Sequence, residues 1–104
     1  MFPELSLEGN TAIVTGGGRG IGRAIALVLA EAGADVVVAA RTVSEIEAVA
    51  KEVRALGRQA IAVPTDVSRS SEVDALVAGS LEHFGKVDIL VNNAGAILRA
   101  PLVP

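Results

Sequence analysis

The most constraining feature of this chain is the run Gly16-Gly17-Gly18-Arg19-Gly20-Ile21-Gly22. It follows a β-branched apolar stretch, Thr11 to Thr15, that reads as a buried strand. It precedes Ile21, Ala24, Ile25, Val28, Leu29 and Ala32, which recur at helical spacing and are expected to face inward, with Gly33 as the stop. A strand that empties through glycine into a helix presents unpaired backbone N–H groups and the positive end of the helix dipole to one point. That point suits a phosphate group. Glycine is required because a side chain would block both the anion's approach and the packing of the helix on its strand.

The rest of the chain repeats the same alternation. Val36 to Ala39 is an unbroken apolar strand, as expected where a parallel sheet is covered on both faces. Ser44-x-x-Glu47 predicts a capping-box start for a second helix, with Ile46, Val49, Ala50, Val53 and Leu56 inward and Gly57 at its end. Ala60 to Val63 is a third strand halted at Pro64. Asp66 or Ser68 then caps a helix that turns Val73, Leu76, Val77, Leu81 and Phe84 inward and closes at Gly85. Val87 to Val91 is a fourth strand, running into Asn92-Asn93-Ala94-Gly95. Strands alternating with helices of this length predict an α/β fold: a doubly wound parallel sheet with right-handed crossovers and strand order 3-2-1-4. Residues 1–104 are expected to form a single domain, with 96–104 a frayed tail.

Composition removes several classes of function. The 104 residues are 51% hydrophobic and carry a net charge of -3 without a dense Lys/Arg cluster, so a core is expected and nucleic acid is not. There is no cysteine, which excludes disulfides, thiolate metal sites and thiol nucleophiles. The stretch Ala24 to Ala40 is broken by Glu31, Gly33 and Asp35, so no membrane span is expected. The acidic, proline-bearing start is unlike a signal peptide, and a cytoplasmic location is the expectation. His83 has no second His or Cys as a ligand partner, so no metal site is expected and His83 is read as a solvated residue at a helix end. Glu31, Glu45, Glu47, Glu52 and Asp74 are all read as facing water. Asp88, inside the fourth strand, is expected to meet donors where that strand begins.

The glycine spacing is G-x-x-x-G-x-G, not the commoner G-x-G-x-x-G, and no Gly-Lys-Ser/Thr follows, as a triphosphatase phosphate loop would need. Thr15-Gly16-Gly17-Gly18-Arg19-Gly20-Ile21-Gly22 instead resembles the T-G-x-x-x-G-I-G motif of the short-chain dehydrogenase/reductase family. Asn92-Asn93-Ala94-Gly95 resembles that family's N-N-A-G motif, and Asp66-Val67 its adenine-pocket pair. The three motifs stand in order from the first strand to the fourth. The resemblance implies a Rossmann-like cofactor-binding half, similar to that of 3-oxoacyl-carrier-protein reductase-like members. The cofactor-binding residues it implies are Gly16, Gly18, Arg19, Gly20, Ile21, Gly22, Arg41, Asp66, Val67, Asn93 and Ala94.

Cofactor choice follows from charge. A carboxylate about 20 residues beyond the glycine loop bonds the ribose 2′-hydroxyl of NAD(H) and repels a 2′-phosphate. Here Ala40 stands where that acid would be, followed by Arg41, and Arg19 can approach the same ribose. Two guanidiniums and no acid favour NADP(H) over NAD(H).

The family's carbonyl chemistry uses a Ser, a Tyr and a Lys, the last two spaced Y-x-x-x-K, with an Asn. This chain has no tyrosine, and its only lysines are Lys51 and Lys86, so no catalytic residue is assigned within it. The resemblance therefore implies the NADP(H)-binding portion of an oxidoreductase for a carbonyl or alcohol substrate, which it would meet only together with the catalytic half. The alternative is a non-catalytic nucleotide-binding or dimer-poisoning module; a methyltransferase or flavoprotein domain is disfavoured by Arg41 and N-N-A-G. An apolar fourth strand left as an edge predicts self-association or a complementing chain, which a compact monomer in concentrated solution scattering would contradict.

Overall fold

The computed structural model describes residues 6–93. Strands β1 (Thr11–Thr15), β2 (Asp35–Ala40), β3 (Ala60–Pro64) and β4 (Ile89–Asn92) alternate with helices α1 (Gly20–Glu31), α2 (Val43–Ala55) and α3 (Ser70–Phe84). The strands form one parallel sheet in the order β3-β2-β1-β4, as the alternation predicts. From β1 the chain steps outward to β3, then returns to the far side of β1. Right-handed crossovers therefore put α1 and α2 on one face and α3 on the other. The pleat divides the core accordingly. Val14, Val36 and Val38 pack with Ala26, Ala30, Ile46, Val49 and Val53, whereas Ile13, Val37 and Ala39 pack with Leu76.

Several expectations are corrected. Helix α1 buries Gly22, Ala26 and Ala30, while Ile21 and Val28 are 70% and 63% exposed. A small-residue face lets the helix lie close on the sheet, and α1 is apolar nearly all round, so the spacing of its larger residues marks the wrong side. Leu56 and Leu81 are likewise exposed. Helix α2 begins at Thr42 rather than at the Ser44-x-x-Glu47 box, and Arg69, not Asp66 or Ser68, holds the N-cap position of α3. The Asp66 carboxylate instead accepts from the Ser68 amide and hydroxyl, and the Glu72 carboxylate takes the Asp66 amide at 2.8 Å. Pro64 closes β3 rather than following it, which an edge strand tolerates. Strand β4 starts at Ile89, two residues later than expected.

Gly33, Gly57 and Gly85 do end their helices, each with positive φ. Asp88 finds its partners at the start of the sheet: its Oδ2 accepts the Thr11 amide at 2.8 Å, and its own amide donates to the Thr11 carbonyl at 2.9 Å. His83 is exposed and stacks edge-on against Phe84. Among the described residues no helix is long and apolar enough to cross a membrane, and no cluster of His, Asp or Glu could hold a metal ion. The expected tail, 96–104, and the Ala94-Gly95 end of the last motif lie outside the described residues.

Candidate functional site

In an open parallel sheet, ligands bind beyond the carboxyl ends of the strands, where the strand order reverses. Here that point is the seam between β1 and β4, where Thr15 pairs with Asn92 on one side and Ala39 on the other. A groove of 610 Å³ opens there. Its lining brings together Gly16, Gly18, Arg19, Gly20, Arg41, Asp66, Val67 and Asn93, eight of the residues singled out from sequence.

The glycine loop is shaped for close approach. Gly16 and Gly20 have φ of 65° and 59°, the left-handed region that costs glycine least. The Gly16 amide is tied to the Ala39 carbonyl at 2.7 Å, which fixes the loop to β2. No side chain caps α1, so the N–H groups of its first turn have no partner inside the helix. Of that turn Gly20 lines the groove, beside Gly16, Gly18 and Arg19, so the positive end of α1 faces a place that suits a phosphate.

Ile21 and Gly22 do not line the groove. Ile21 points its side chain to solvent, and Gly22 is buried beneath the loop. A Cβ on Gly22 would collide with the Gly16 carbonyl and stand 2.8 Å from Asn93 Nδ2. Gly17, not singled out from sequence, is also a packing glycine, since a Cβ there would stand 2.8 Å from Val38 Cγ1 and 3.1 Å from the Val14 carbonyl oxygen.

Thr15 contributes a second link that its place in the motif does not reveal. Its hydroxyl lies 3.2 Å from both the Val91 carbonyl and Asn92 Oδ1, and accepts the Asn93 amide at 3.0 Å. One side chain thus fastens the glycine loop to the end of β4. Replacing Thr15 with valine keeps the shape and leaves the Asn93 amide without its acceptor, at an expected cost of about 1–2 kcal/mol. Urea unfolding of Thr15→Val against Thr15→Ser checks this, because serine retains the hydroxyl; equal losses in the two would count against it.

The groove's other walls hold polar groups that are not among the residues implied for the cofactor: Thr42, Thr65, Ser68 and Glu45. Glu45 is a correction. It was expected to face water, yet its carboxylate lies over the loop, with Oε2 3.9 Å from Arg19 Nη1. The available signal was Thr42-x-x-Glu45, the same spacing as the chosen box and two residues earlier. Glu52, exposed to a similar degree, pairs bidentately with Arg23 of α1.

Asp66 is held ionised below the usual aspartate range, chiefly by the Ser68 hydroxyl, then by the Ser68 amide and the charges of Arg41 and Arg69. A depressed folded-state pKa stabilises the fold above the ordinary aspartate range, and that contribution is lost as pH falls through the lower folded value. The melting-temperature gap between wild type and Asp66→Asn is therefore expected to be open at neutral pH and to close in acid. A gap independent of pH would refute this origin.

The comparisons agree with the geometry. The short chain dehydrogenase family matches residues 10–103. A 2-dehydro-3-deoxy-D-gluconate 5-dehydrogenase from Pseudoalteromonas atlantica is 50% identical over 102 residues, covering 97% of this chain and 40% of that protein. A hydroxysteroid dehydrogenase from Escherichia coli superposes with a TM-score of 0.85 at 46% identity, over 88% of this chain and 39% of that one. A metagenomic short-chain oxidoreductase solved in complex with NADP superposes with a TM-score of 0.81 at 46% identity, over 86% of this chain and 41% of that one. The chain spans about two fifths of the length of the curated relatives it matches. Fold, groove and similarity together place this chain in the short-chain dehydrogenase/reductase family, as its amino-terminal, Rossmann-like part.

Proposed function

We propose that residues 1–104 form an incomplete dinucleotide-binding domain that binds NADP(H) in preference to NAD(H), within an oxidoreductase acting on a carbonyl or alcohol. The observation that carries the cofactor choice is the composition of one wall of the groove. Ala40, Arg41 and Arg19 all line it, so the position from which a carboxylate would repel a 2′-phosphate is neutral and two cations stand near it. The residues fit the rest of the cofactor as well: the glycine loop leaves room for a pyrophosphate, and Asp66 and Val67 border the pocket into which an adenine would turn. When bound, the nicotinamide supplies or accepts the hydride. This chain's own part is to hold the phosphates on the first turn of α1 and the adenosine against the ends of β2 and β3.

The relatives act on substrates as unlike as a sugar acid and a steroid, to judge by their names, while sharing this half of the fold. Substrate selection and proton transfer accordingly belong to the remaining length of such proteins, in the same polypeptide or a complementing one. Titration with NADPH and NADH, followed by cofactor fluorescence, tests the reading, and no tryptophan or tyrosine in the chain interferes. Saturable binding with NADPH the tighter is expected. Binding of neither, or preference for NADH, would overturn it.

A further inference from the structure

The proposed cofactor groove carries, besides Asp66 at its adenine end, a second acid whose sign is wrong for its ligand. Glu45 lines the groove together with Arg19 and Arg41, and its carboxylate reaches to within 3.9 Å of the Arg19 guanidinium. It is not a surface acid that happens to lie near. A Cβ added to Gly18 would stand 2.9 Å from Glu45 Cβ and 3.2 Å from its Oε1, so the side chain lies directly over the glycine loop. Its position in the first turn of α2 also gives it a favourable place at that helix's positive end, which explains why an acid is tolerated there.

Resting on the NADP(H) reading, we propose that Glu45 is a specificity-determining residue that weakens selection for the 2′-phosphate, by offsetting part of the Arg19 charge and by opposing the phosphate's own. Two opposing effects have to be weighed. Glu45 could pre-position Arg19 and so help the phosphate bind, or it could compete with the phosphate. The geometry favours competition. The pair is long, and the Arg19 side chain is 85% exposed, so the contact immobilises little of it. The charge of Glu45, only 34% exposed in the groove wall, acts on any dianion placed there whether or not the pair is formed. The groove thus sets Glu45 beside Arg19 as Asp66 stands near Arg41, and the charge of Glu45 leaves NAD(H) a more accessible second ligand than the two arginines alone would allow.

The test uses the adenosine end of the cofactor alone. Adenosine 2′,5′-bisphosphate and 5′-AMP differ by the 2′-phosphate, and calorimetric titration of each into the purified protein reads selection directly. Glu45→Gln is expected to tighten the bisphosphate about three- to tenfold more than it tightens 5′-AMP, and to lose much of that difference in high salt. In an Arg19→Ala background the gain shrinks. Glu45→Ala removes the same charge without the amide and must shift selection in the same direction. An unchanged or reduced preference for the bisphosphate in both variants overturns the proposal and leaves the cofactor reading standing. Loss of 5′-AMP binding in both would make Glu45 a structural part of the groove and overturn it equally. Wild-type protein that binds neither nucleotide overturns the cofactor reading, and the proposal with it.

Discussion

Gly22→Ala is expected to unfold about 8–16 °C below wild type and to lose nucleotide binding. The added methyl group collides with backbone, the Gly16 carbonyl, and stands 2.7 Å from that residue's carbonyl carbon. Overpacking of this kind costs about 1–3 kcal/mol even where side chains can yield, and here the obstacle is the loop itself, so about 3 kcal/mol is the working figure. Alanine's better helix propensity returns about 1 kcal/mol at most, so the collision wins. For a domain of this size each kcal/mol moves the melting point by about 4–8 °C. Gly79→Ala is the internal control. Gly79 lies in α3 with nothing within 4 Å of an added Cβ, so the same substitution there should be neutral or stabilising. Thermal melts that rank the two variants in the opposite order would defeat the packing argument.

The double substitution Ala40→Asp with Arg41→Ala is expected to reverse cofactor preference, lowering NADPH affinity relative to NADH by about a hundredfold or more. It removes a charge-assisted donor worth about 1.5–3 kcal/mol and adds a carboxylate where a 2′-hydroxyl would otherwise be bonded. A tenfold change corresponds to about 1.4 kcal/mol, so the two effects together reach or pass two orders of magnitude. Ala40 ends β2 half-buried at the groove wall, at the edge of the core cluster of Val38 and Ile46. Paired titrations with the two cofactors measure the ratio. A ratio that stays within about threefold of wild type would mean that the 2′ end of the cofactor lies elsewhere.

The sheet order was legible because the chain alternates short apolar strands with helices, and handedness leaves few ways to arrange them. The groove was legible through its glycines, which the close approach of a phosphate requires, and through Asn93, which the family resemblance marked. What escaped was whatever depends on distance rather than pattern. Helix α1 hides its true inner face because Ile21, Ile25, Val28 and Leu29 surround it with apolar residues, and only contact with β1 and β2 selects Gly22, Ala26 and Ala30. Glu45 escaped because two overlapping Ser/Thr-x-x-Glu spacings compete for the start of α2, and choosing the later one turns this acid outward. The work of the Thr15 hydroxyl escaped because its partners lie on β4, far along the chain.

That separation bears on how such a site comes into being. The β1–β4 seam is fastened by Thr11 with Asp88 at its amino end and by Thr15 with Asn93 at the groove, contacts between residues 77 and 78 positions apart. Bringing such distant segments together carries a larger loop-closure cost than the local β1–α1–β2 unit does. During synthesis the glycine loop can therefore form well before the strand that completes it has left the ribosome. A nucleotide that requires Asn93 would recognise only chains in which β4 has arrived, and so would trap the finished fold while leaving earlier intermediates unliganded.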